Sequence, residues 1–188
     1  ILEGGASSFN TLSAATTSVD DNIGVQLTAI ILLEDKGSPI GITKSEVEDK
    51  VFNQLNHFYL ENSYQKTGFN GSVFGPFIID QCLIGDYSLF GFINLSICAA
   101  DPFINFSNYE RYIIVTQGEF GGVGTIGKIE ASSSDGNFTA SWSHVVTGTF
   151  KVRMLGHEMG HNFGMYHSNS LSCGRNINPG SVSFKSCT

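Results

Sequence analysis

Two periods of hydrophobic and polar residues alternate along the chain, and each change of period marks an element. GVQLTAIILL, residues 24–33, is a largely apolar run of strand length, as expected of a strand buried on both faces. Gly37, Ser38, Pro39 and Gly41 then punctuate a turn. Thr43 and Glu46 stand at capping-box spacing, and Val47, Val51, Leu55, Phe58 and Tyr59 follow at helical intervals, predicting a helix that runs until Gly68. VFGPFIID (73–80) predicts a strand, 86–100 a second, wholly or partly helical stretch, and RYIIVTQ (111–117) another buried strand. From Gly118 the chain turns glycine-rich, continues as polar alternation, turns at SDGN (134–137) and returns through FTASWSHVV to 146. Strands alternating with helices predict an α/β layer architecture with a largely parallel sheet, in a single domain over 1–188. Residues 1–22 read as an irregular lead-in, and no internal repeat is visible.

The last periodic segment carries the chemistry. After a helix start at Gly148 or Thr149, Val152, Leu155, Met159 and Phe163 recur along one face at about 100° per residue. His157 and His161 form an i, i+4 pair that projects roughly opposite that stripe. One side of such a helix packs, and the other offers two imidazoles. Gly164 is able to take positive φ and end the helix, so that the chain reverses and returns His167 to the same point.

Two imidazole nitrogens one turn apart can reach a single zinc ion at about 2.0 to 2.1 Å, and a third leaves one position of a tetrahedral ion open for water. Glu158 adjoins the first histidine on the flank that faces this open position. Its carboxylate can take a proton from a water held by the ion, whose pKa falls to about 7, and later pass it to a leaving amine. HEMGHNFGMYH therefore predicts metal-assisted amide hydrolysis. The bland reading is a helix with two solvent-facing histidines and an unrelated third, yet five specified positions match by chance on the order of once in a million windows. A zinc site kept only for folding is usually closed by four protein ligands and would leave Glu158 without a role.

The rest of the composition narrows the setting. Ten basic against seventeen acidic residues give a formal charge of -7, with no basic cluster, so nucleic acid is not an expected partner. The longest apolar run, AIILL at 29–33, is far short of the roughly 18 residues a membrane span needs. The chain opens at Ile1 without a leader pattern, so any targeting segment is expected to have been removed or left out. Cys82 and Cys98, then Cys173 and Cys187, contain no CxxC, which disfavours zinc held through sulfur. Pairing 82 with 98 and 173 with 187 is the economical choice among three connectivities, against the alternative of buried free thiols. Sequons at Asn70, Asn94, Asn105 and Asn137 fit export.

Other features weigh less. Gly122, Gly124 and Gly127 spell G-x-G-x-x-G after a strand, but no helix start follows, which speaks against a dinucleotide site. His57 lies off its helix stripe and reads as a surface residue, His144 as a core residue or one supporting the metal ligands, and Trp142 as packing.

HEMGHNFGMYH resembles the extended zinc signature of the metzincin metalloendopeptidases. The resemblance implies His157, His161 and His167 as zinc ligands and Glu158 as general base. It implies an α+β fold with a mostly parallel twisted sheet, an antiparallel edge strand, and a small C-terminal subdomain after an N-terminal one of about 1–164. MLGHEMGHNFGMYHSNSLSCG, with AADPFINFSNYERYIIVTQG upstream, looks most like the gametolysin family of secreted peptidases, whose substrates would be proteins such as those of extracellular matrix or cell wall. An adamalysin-like peptidase, sharing HNxGxxH, is the alternative, but there an Asp typically follows the third histidine where this chain has Ser168. A non-catalytic zinc-containing binding module is the competing class. By the same resemblance the glycine-rich segment corresponds to the strand rimming the cleft, making Gly122, Gly124, Thr125 and Ile126 candidate substrate-binding residues. Metzincins also carry a methionine-bearing turn after the third histidine, and no methionine follows His167 here. The expectation is that residues 165–188 hold only the start of the C-terminal subdomain, and that a further segment or second chain completes it.

Overall fold

The computed structural model describes residues 19–82 and 86–167. Its frame is a six-stranded sheet built on β1 (Gly24–Glu34), which pairs in parallel with β2 (Thr67–Ile78) on one side and β3 (Arg111–Thr116) on the other. β6 (Gly136–Val146) continues the sheet in parallel with β3. Two short strands run antiparallel to β6: β5 (Ile129–Ser133) forms the hairpin on its first half, and β4 (Gly122–Gly124) pairs with its second half. The mostly parallel sheet with an antiparallel edge is thus present, and the SDGN turn joins β5 to β6.

Alternation along β1 assigns its side chains to two cores. Ile30 and Leu32 face a layer made by α1 (Lys44–Glu48), a π-helical stretch (Asp49–Leu55), α2 (Asn56–Asn62) and α4 (Val152–Asn162), where Val47, Val51, Leu55, Leu155 and Met159 are fully buried. Ile31 and Leu33 face α3 (Leu89–Ala100) on the other side, together with Tyr112, Ile114 and Trp142. Burial on both faces is what lets β1 and β3 read as nearly continuous apolar runs.

The first helical segment begins where its sequence predicts, with Thr43 and Glu46 closing a reciprocal capping box. It ends earlier than Gly68. Tyr64 and Gln65 take left-handed φ angles of 54° and 65°, and Thr67 and Gly68 already pair with Gly24 and Val25. Pairing with β1 overrides the weak strand propensity of TGFNGS, so β2 starts at Thr67 and not at 73. Phe58, expected in the core stripe, is 44% exposed. Cys82 and Cys98 form a disulfide that ties the segment after β2 to α3. Cys173, Cys187 and the remainder of the expected C-terminal subdomain lie outside the described residues.

Candidate metal centre

α4 starts at Val152, with Lys151 as its N-cap in place of the expected Gly148 or Thr149, which belong to a 3-10 turn just before it. Leu155 and Met159 bury its inner face, while His157 is exposed and His161 half-buried. The helix ends as Gly164 predicts. With φ of 89°, Gly164 donates its N–H to the His161 carbonyl at 2.8 Å, and Met165 donates to Gly160 at 3.0 Å, the paired bonds of a Schellman motif. The reversal carries His167 back over the helix.

Nε2 of His167 stands 3.1 Å from Nε2 of His157 and 3.1 Å from Nε2 of His161. Nitrogens about 2.0 to 2.1 Å from one tetrahedral ion lie about 3.3 to 3.4 Å from each other, so these spacings fit a shared ion. The histidine tautomer fits as well. His161 Nδ1 is 2.7 Å from the Met165 carbonyl, which can only accept, so Nδ1 holds the proton and Nε2 keeps a free lone pair. Three imidazoles make a donor set suited to zinc.

Glu158 points from the same helix toward the edge strand and is 3% exposed. Burial pushes its carboxyl above the ordinary glutamate range, while His161 and His167 pull it back. The adjoining strand leaves room for it only through glycine: a Cβ on Gly122 would stand 2.7 Å from Glu158 Oε1, and one on Gly124 would stand 2.7 Å from the Glu158 carbonyl. The pattern that imitated a phosphate loop is a close-packed rim.

Two hollows meet at Gly122, His157 and Glu158. One, of about 800 Å³, is walled by Phe58, Val152, Arg153 and Met154. The other, of about 300 Å³, is walled by Val123, Gly124, Ile126 and Tyr166 together with His161 and His167. Gly122, Gly124 and Ile126 line the hollows, whereas Thr125 does not. Its side chain is buried, its N–H donates to the Trp142 carbonyl at 2.8 Å and its own carbonyl accepts from Asn162 Nδ2 at 3.1 Å, so neither main-chain group remains for a ligand.

His144 lies on the opposite face of the sheet, stacked on Phe92 at 3.8 Å, and Trp142 is stacked on Tyr112 at 4.2 Å. Both are core residues. Two residues that sequence reasoning passed over complete the setting: Arg111, fully buried at the start of β3, and Asn162, fully buried at the end of α4. Their partners are spread over 141 positions of the chain, between Asn22 and Phe163, and no local pattern announces them.

A sequence profile of the metallo-peptidase family M12B, described as reprolysin-like, matches residues 99–168, from the end of α3 to just past His167. No curated protein matches the chain. Over that stretch the chain is similar to metallopeptidases, and the matched stretch contains every residue of the histidine and glutamate cluster.

Proposed function

We propose that the chain is the catalytic domain of a secreted zinc-dependent metalloendopeptidase that hydrolyses peptide bonds in protein substrates. The observation that carries this reading is the convergence of three imidazole nitrogens within 4.8 Å of one another beside a buried carboxylate. A zinc ion held there would act as a Lewis acid and lower the pKa of a bound water to about 7. Glu158, a buried carboxylate beside the histidines, would serve as general base and then as donor to the leaving amine.

The rim supports an extended peptide as the substrate. Gly121 and Thr125 direct main-chain groups to β6, accepting from Val146 at 3.5 Å and donating to Trp142 at 2.8 Å. Antiparallel pairing alternates, so the intervening Gly122 and Gly124 direct theirs to the open edge, where a peptide strand can add. Side chains of that peptide would enter the two hollows on either side of the metal.

Secretion is supported by the Cys82–Cys98 disulfide and by sequon asparagines at positions 70, 94, 105 and 137 that are all exposed. No helix among the described residues is long and apolar enough to cross a membrane. The gametolysin likeness rests on the residues quoted above, and matrix or cell-wall proteins are the substrates it suggests.

Cleavage of a mixed peptide library is the test. Activity that disappears with a chelator, returns with zinc and falls about 100-fold or more in Glu158→Gln supports the reading. A zinc-loaded wild type inert on all peptides, or one indifferent to Glu158→Gln, overturns it in favour of a non-catalytic module.

A further inference from the structure

Arg111 is among the largest fully buried side chains, and its contacts converge on the end of α4. Nε donates to Gln26 Oε1 at 2.8 Å, Nη2 to Asn22 Oδ1 at 3.0 Å, and Nη1 to Ser141 Oγ at 3.0 Å and to the Asn162 carbonyl at 3.1 Å. The guanidinium carbon, Cζ, lies over the Phe163 ring, 4.0 Å from its centre. Burial pulls its pKa down to about 10, with the charges of Glu110 and Asp21 opposing, so the group stays cationic at neutral pH.

Asn162 and Phe163 are the residues between the second histidine and Gly164, where the chain leaves the helix. The Asn162 carbonyl belongs to the negative end of the helix dipole, and a cation there is favourable. The Asn162 side chain fastens the same point to the sheet and the rim, donating to the Trp142 and Thr125 carbonyls at 3.0 and 3.1 Å and accepting from Ser143 Oγ at 3.0 Å. Gly127 N–H binds the His161 carbonyl from the rim side at 2.9 Å. Together these form a set of directed bonds about the helix end. The guanidinium fork suits it because a planar group can hold a carbonyl in its plane and a ring against its face at once.

We propose that Arg111 is a positioning residue for the metal: by clamping Asn162 and Phe163 it sets where the helix ends, and so where His167 meets His157 and His161. This rests on the metal reading above. Zinc affinity and the visible spectrum of the cobalt-substituted full chain test it in Arg111→Lys and Arg111→Gln, with circular dichroism as the check on folding. Loss of a residue that orients metal ligands should weaken zinc about 10- to 100-fold and alter the cobalt bands. Folded variants with wild-type affinity and an unchanged spectrum overturn the proposal. If neither variant folds, Phe163→Leu decides in their place: removing only the ring face should weaken zinc about fivefold, and wild-type affinity there overturns the proposal too. A wild type that takes up neither metal would instead overturn the metal reading and this inference with it.

Discussion

A Cβ placed on Gly122 would stand 2.7 Å from Oε1 of Glu158, so edge strand and buried carboxylate meet where only glycine leaves room for both. The same Cβ would lie 2.7 Å from Met154 Sδ. Both obstacles belong to flexible side chains, and relief by moving them displaces the Glu158 carboxylate without unfolding the protein. Gly122→Ala is expected to lower kcat/KM about 10- to 100-fold, since small misplacements of a reacting group have that effect, while zinc content and melting temperature stay near wild type. Peptide kinetics beside metal analysis check this.

Gly124→Ala should behave differently. Its Cβ would meet the Glu158 backbone carbonyl at 2.7 Å, and a helix backbone cannot step aside. Overpacking of this kind costs about 1–3 kcal/mol, so denaturant unfolding is expected to register the change that Gly122→Ala hides.

His144 predicts a pH dependence of stability. Burial against Phe92 pulls its pKa down to about 4, below the ordinary 6.5 of an unfolded chain. Between these values the unfolded chain binds a proton that the folded one refuses, so stability is whole above pH 6.5 and falls as pH drops toward 4. At pH 4.5 the loss is about 2–3 kcal/mol. Urea unfolding at pH 7.5 and 4.5, in chelator so that metal release does not contribute, should show a shallower pH slope in His144→Gln than in wild type. Equal slopes would contradict the assignment.

The Cys82–Cys98 bridge spans 16 positions, and closing such a loop in the unfolded chain corresponds to about 3 kcal/mol. A Cys82→Ser, Cys98→Ser double variant is expected to lose that much in denaturant unfolding while keeping the histidine cluster, because α3 lies across the sheet from α4.

What the chain discloses before folding is what its neighbours in sequence decide. Val152, Leu155 and Met159 define a helix face by themselves, and His157, Glu158, His161, Gly164 and His167 fall within eleven positions, so the histidine cluster was legible as spacing. The capping box at Thr43 and Glu46 and the apolar runs of β1 and β3 were legible for the same reason. Features decided by distant partners were not. Thr67–Ser72 is strand only because β1 lies beside it, and Phe58 leaves its helix stripe for the cleft. Arg111 looks like an ordinary surface charge at a strand start until Asn22, Gln26, Ser141 and Asn162 gather around it. The glycines at 122 and 124 fit a flexible loop or a rim equally well until β6 and α4 enclose them, and Thr125, expected at the cleft, is turned inward by its bonds to Trp142 and Asn162.

X-ray absorption at the zinc edge of the purified, metal-loaded chain tests the central claim most directly. One zinc per chain, surrounded by three imidazole nitrogens and one oxygen at about 2.0 to 2.1 Å, is the predicted result. Sulfur neighbours at about 2.3 Å, or no stoichiometric zinc at all, would contradict it.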